Sequence, residues 1–121
     1  MSTEITKEFR FDAAHFLPTA PDGHPYRRMH GHSFRVEVAL AGTPDPATGW
    51  ITDFGQVAAA LATLRERLDH HLLNEIDGLA VPTLERLAEW IYRALARDLP
   101  ALTRVTVRRE SEGESSTYSA K

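Results

Sequence analysis

Three histidines in this chain have the residue type and spacing of a metal site. His30 and His32 stand two apart in "MHGHSFRVEVAL", residues 29–40. The run that follows alternates apolar and polar residues, the period of a half-buried β-strand. Phe34, Val36, Val38 and Leu40 then share one face, and His30 and His32 have the same parity. Upstream, Ile5, Phe9, Phe11 and Ala13 alternate in the same way across residues 4–16, and His15 continues their parity. If the two strands pair as an antiparallel hairpin, the end of one lies beside the start of the next, so His15 meets His30. His32 is one inward step further, about 7 Å along the strand. Three imidazoles on one face, at one end of a sheet, match the His₃ set of an open zinc site. Imidazole nitrogen suits zinc better than magnesium or calcium. Each histidine could also be a separate hydrogen-bonded residue at a sheet rim. The shared parity of His15 favours the metal.

A second polar cluster is "LDHHLLN", residues 68–74. Asp69 beside His70 can form a carboxylate–imidazole pair, in which the acid fixes the tautomer and raises the basicity of the ring. Read locally, His70 and His71 also fit the negative end of a helix dipole. Arg27-Arg28 reads either as a solvated loop or as a phosphate clamp.

These residues need elements to place them. Pro18, Pro21, Gly23 and Pro25 mark a loop between the first two strands, and "AGTPDPATG" (41–49) is a turn-rich connection. Asp53 with Gln56 three residues on resembles a capping box, and Val57, Leu61, Leu64 and Leu68 follow at helical spacing. Pro82-Thr83 opens a second helix carrying Leu84, Leu87, Ile91 and Leu95, stopped by Pro100. A last strand covers 103–110 with Val105 and Val107 inward, leaving room for another in 111–119. This order predicts an α+β fold over a single domain, 1–121, with two helices on one face of an antiparallel sheet. An apolar content of 42% suits an ordinary globular protein, and a net charge of −3 gives no electrostatic reason to expect nucleic acid. With no cysteine in 121 residues, disulfides, thiolate metal sites and a cysteine nucleophile are excluded. No apolar run is long enough to span a bilayer and no signal-peptide pattern is present, so no membrane partner and a cytoplasmic location are expected.

The strings "FDAAHFLP", "HGHSFRVEVAL", "TGWITDF", "LDHHLLNEI", "PTLERLAEWI" and "VTVRRES" occur in order across nearly the full chain. Together they resemble the 6-pyruvoyl-tetrahydropterin synthase and 6-carboxytetrahydropterin synthase family. The resemblance implies a tunnelling fold of four antiparallel strands and two helices, joined into trimeric barrels that stack as a homo-hexamer. It also implies a dihydropterin triphosphate substrate bound between subunits, losing its triphosphate to give a 6-pyruvoyl pterin or, in bacterial queuosine biosynthesis, a 6-carboxy pterin. Carried over by residue, the zinc ligands are His15, His30 and His32, and the catalytic Asp–His pair is Asp69 and His70. The pterin-anchoring glutamate corresponds to Glu110, and Thr83 falls in a segment that lines the pterin pocket. A buried carboxylate suits that anchor, since it accepts two hydrogen bonds from a guanidine-like pterin edge.

The chain departs from the family's pattern twice. The family's thiolate base lies four residues before the first histidine of His-Gly-His, where this chain has Tyr26. A free phenol ionises near pH 10 and a thiol near 8.5, so Tyr26 is the poorer base at neutral pH. The family's last strand usually has one residue between its last inward valine and the glutamate. Here Arg108 and Arg109 both intervene, and a β-bulge at the arginines is expected to turn Glu110 inward. Three functions fit: a pterin lyase with His70, Tyr26 or water replacing the thiolate, a pterin-binding homologue without the standard reaction, or an assembly protein with vestigial histidines. The retained histidines, Asp69, His70 and Glu110 favour the first.

Overall fold

The computed structural model describes residues 2–119. Strand β1 (Thr3–His15) and strand β2 (His30–Gly42) are followed by helix α1 (Phe54–Leu68) and helix α2 (Leu84–Ala96). Strands β3 (Leu102–Arg109) and β4 (Glu114–Ser119) complete one antiparallel sheet in the order β1-β2-β3-β4.

The predicted parity holds. Phe11, Phe34, Val36, Val38, Val105 and Val107 are buried on the helix-facing side of the sheet. Val57, Leu61, Leu64 and Leu68 of α1, with Leu87, Ile91 and Leu95 of α2, close that core from above. Phe11 and Phe34 stack across the hairpin with centroids 5.0 Å apart, directly beneath the histidines. The outer face is charged instead. Glu37 faces Arg104 and Arg108, and Arg35 faces Glu8.

The helix starts differ in detail from the sequence reading. Asp53 does cap α1, accepting the Gly55 N–H at 3.0 Å, but Gln56 does not reach back to complete a capping box. Its amide donates instead to the Asp98 carbonyl, because that carbonyl lies within reach at the far end of α2. Thr83 caps α2, its Oγ1 accepting the Arg86 N–H at 3.2 Å.

After α1 the chain turns back along the outer edge of β1. The His70 N–H donates to the Asp12 carbonyl and the Ala14 N–H to the His71 carbonyl, and Leu72 bridges Ala14 in parallel. Residues 70–72 therefore cover the histidine end of that edge. Among the described residues, the rest of the β1 edge and the outer edge of β4 have no strand partner.

Candidate active site

Strands β1 and β2 pair with His15 opposite His30 and Ala13 opposite His32. The three rings gather at one end of the sheet, with centroids 4.6 Å (His15–His30), 5.0 Å (His15–His32) and 4.8 Å (His30–His32) apart. One ring nitrogen from each lies within 4.8 Å of the others. Hydrogen bonds assign two of the tautomers. His15 Nδ1–H donates to the Pro82 carbonyl at 3.0 Å, and His30 Nδ1–H donates to the Arg28 carbonyl at 2.7 Å. Each proton on Nδ1 leaves Nε2 with a free lone pair, and a fixed ring is the usual second shell of a metal-bound histidine.

The Nε2 atoms of His15 and His32 are buried and have no hydrogen-bond partner among the described residues. A buried polar atom without a partner calls for an explanation. A metal ion held between the rings supplies one for both atoms, so the residues present fit such a group.

Burial pushes His15 down to about 4, outweighing the raising effect of the Pro82 carbonyl. His32 is lowered too, first by burial and then by the Arg109 charge. Both rings are therefore neutral ligands at pH 7. In the metal-free protein the unfolded chain takes up a proton near pH 6.5 that folded His15 refuses. This stability is present above that pH and is lost as pH falls toward 4. For His15 it amounts to about 3 kcal/mol. Urea midpoints of metal-free protein should fall steeply between pH 6.5 and 4, and less steeply in His15→Gln. Equal slopes in the two proteins would show that His15 does not carry the effect.

Asp69 and His70 form a second constellation. Asp69 Oδ1 accepts the Asp12 N–H at 2.9 Å, and Oδ2 stands 2.8 Å from His70 Nδ1. The Asp12 N–H, then the His70 ring, hold the Asp69 carboxyl below the usual carboxylate range. His70 has φ 60°, the one non-glycine positive φ among the described residues. His70 follows the extended Asp69 cap of α1, and its side chain is 79% exposed. Asp12, Gly31, His32, Ser33, His70 and His71 line a cleft of about 500 Å³, so His70 of the pair and His32 of the cluster border the same space.

Tyr26 lies in a single turn of 3₁₀ helix, Pro25–Arg27, with its ring 6.5 Å from that of His30 and 4.4 Å from His24. The loop thus brings it beside the outermost histidine. Thr83 adjoins Pro82, whose carbonyl holds His15, while its hydroxyl is engaged in the α2 cap.

Glu110 is placed differently from the sequence expectation. No bulge occurs at the arginines: Arg108 pairs with Ser115 and Arg109 with Glu114 in regular register. The irregularity falls at Ala39–Leu40 instead. Strict alternation from Val105 and Val107 therefore carries Arg109, not Glu110, onto the helix-facing side. Glu110 opens a turn after β3, and its Oε1 lies 3.1 Å from Arg35 Nη2 and 3.4 Å from Arg10 Nη2. Those arginines hold it at the outer face. It still borders a cleft of about 550 Å³ that His30 and His32 also line. The sequence reading gave Arg109 and Glu114 no role at the site, although period-2 alternation alone turned the first inward.

An antiparallel β-β-α-α-β-β chain with three imidazoles converging at one sheet end defines an α+β protein equipped for a transition metal. The family model for 6-pyruvoyl tetrahydropterin synthase matches residues 4–121, and the chain belongs to that family. It is 42% identical over 109 residues to a 6-carboxy-5,6,7,8-tetrahydropterin synthase of Synechocystis, covering 85% of this chain and 83% of that protein. It is 31% identical over 100 residues to a dihydroneopterin monophosphate aldolase of Pyrococcus furiosus, covering 83% and 81%. The fold matches a Caenorhabditis elegans 6-pyruvoyl tetrahydropterin synthase with a TM-score of 0.89 at 21% identity, covering 100% of this chain and 97% of that one.

Proposed function

We propose that this chain is a metal-dependent pterin lyase of the 6-carboxytetrahydropterin or 6-pyruvoyl-tetrahydropterin synthase type, acting on 7,8-dihydroneopterin triphosphate or a related pterin. The observation that carries this reading is the convergence of three imidazoles, two with buried, unpartnered Nε2 atoms. The identity to the Synechocystis synthase supports it.

In this reading His15, His30 and His32 hold zinc, which when bound polarises side-chain oxygens of the substrate and acidifies the adjacent C–H. Asp69 fixes the proton of His70 on Nδ1, so Nε2 exchanges protons with the pterin side chain. Tyr26 offers a hydroxyl where relatives have a thiol. Thr83 falls in a segment that lines the pterin pocket, and Glu110 borders the cleft of His30 and His32 without the inward turn expected of a ring anchor. The uncovered edges of β1 and β4 support assembly into a homo-hexamer, since joining sheets edge to edge removes unpaired strands. Among the described residues no helix is long and apolar enough to cross a membrane. Cytoplasmic action on a small pterin, in queuosine biosynthesis, completes the reading.

The alternative is a pterin-binding homologue without the synthase reaction, favoured by the one observation that Tyr26 replaces the thiolate. Metal-loaded wild type, Tyr26→Cys and Tyr26→Phe, assayed on dihydroneopterin triphosphate, separate the two. We expect slow turnover by wild type, a gain of about 100-fold or more in Tyr26→Cys, the usual worth of a positioned proton-transfer group, and loss in Tyr26→Phe. Pterin binding without turnover in all three selects the binding homologue. Fast wild-type turnover that Tyr26→Phe leaves intact places the base elsewhere, with His70 the next residue to test.

A further inference from the structure

Arg109 stands on the helix-facing side of the sheet near its histidine end, opposite Glu114 of β4. Its side chain is only 16% exposed, and Nη2 donates to Glu114 Oε1 at 2.6 Å. Its Nε–H is buried and has no partner among the described residues. Continuing the β2–β3 register by one step from Arg35 and Arg108 sets Arg109 beside Phe34, with His32 one inward step further on. The guanidinium is close enough to the cluster that its charge disfavours protonation of both His15 and His32.

The charge count at this end of the sheet is unusual. A divalent ion on three neutral imidazoles would add two positive charges to that of Arg109. Glu114, and Glu112 near His32, offset two of the three, while Glu110 is taken up by Arg10 and Arg35. An anionic group on the ligand would offset the remaining charge and pair with the guanidinium, which opens on a cleft with Leu84, Glu85 and Glu114. A cationic or neutral group in the same place would do neither. This differs from what an acidic side chain would do there, since a carboxylate would select a guanidine-like ring edge.

We propose that Arg109 is an anion-binding specificity residue of this site, meeting a carboxylate or phosphate of the ligand held at the histidine cluster. Resting on the pterin-lyase reading for the identity of its ligand, the proposal concerns only which substituent the site selects. Guanidinium matches both oxyanions with parallel N–H donors, and Glu114 keeps the fork in place until the ligand arrives.

Two arms test it. In the first, cobalt(II)-loaded protein is titrated with acetate and with inorganic phosphate, following the visible bands of the metal. Wild type should bind one of these anions at least tenfold more tightly than Arg109→Gln, with Arg109→Lys between them. Arg108→Gln, on the outer face, should match wild type. The double variant Arg109→Gln/Glu114→Gln removes the unpaired carboxylate and should behave as Arg109→Gln does, so an unfolded single variant does not end the test. The stronger anion tells whether the site takes a carboxylate or a phosphate.

In the second arm, pterin and 6-carboxypterin, which differ by one carboxylate, are compared by fluorescence. A preference of at least tenfold for 6-carboxypterin in wild type, reduced to about twofold in Arg109→Gln, supports the proposal. Anion affinity in the cobalt arm that is the same in wild type, Arg109→Gln and the double variant overturns it, whatever the pterins do. Anion binding that depends on Arg109 while neither pterin binds sustains the proposal and defeats the pterin reading.

Discussion

His32→Ala should purify with almost no metal, whereas wild type prepared without chelator should hold about one transition-metal ion per subunit. His32 supplies one of two buried Nε2 atoms that have no other partner. Its removal leaves two ligands, too few for an open zinc site. Turnover should fall by more than the roughly 100-fold that loss of an outer-shell partner costs, since here a ligand itself is lost. The melting temperature is the second readout. A ligand that binds only the folded state stabilises it by mass action, so chelator should lower the wild-type melting temperature and leave that of His32→Ala unmoved. Elemental analysis settles the first point and calorimetry with and without chelator the second. A wild-type protein free of metal, with a melting temperature insensitive to added zinc, would remove the basis for the lyase reading.

Replacing His70 should separate chemistry from stability. His70→Gly should lose about 10²- to 10⁴-fold in turnover, the usual worth of a positioned proton-transfer group. The same substitution should not lower the melting temperature. His70 has φ 60°, in the left-handed region where a side chain is strained and glycine is not, which offsets the backbone entropy that glycine loses on folding. Its ring is mostly exposed and packs no core, so little contact is lost. Asp69→Asn should also lose turnover, because an amide holds the ring less strongly than a carboxylate does. A His70→Gly protein that keeps full turnover would return this residue to the role of a helix terminus.

Much of the architecture was legible in the chain because it rests on short-range periodicity. Alternation over 4–16 and 29–40 placed both strands within a residue or two, and its parity put His15, His30 and His32 on one face. Helical spacing from Val57 and Leu84 located both helices, and Asp53 and Thr83 marked their starts. These signals survive folding because a side chain's direction follows from its place in a strand or helix.

Glu110 and Arg109 show where that reasoning ended. Alternation by itself turned Glu110 away from the core, and only the expected bulge reversed it. Whether a bulge forms depends on how β3 sits between β2 and β4, and the regular pairs Arg108–Ser115 and Arg109–Glu114 leave no room for one. The Glu114 carboxylate that holds Arg109, the Pro82 carbonyl that orients His15, and the cleft that His70 shares with His32 are likewise long-range contacts. The sequence by itself determined the elements and the face of the three histidines, because both follow from backbone geometry within a few residues. Only the tertiary structure decided which charge stands beside those histidines, because strand register and loop return are set by packing between residues far apart in the chain.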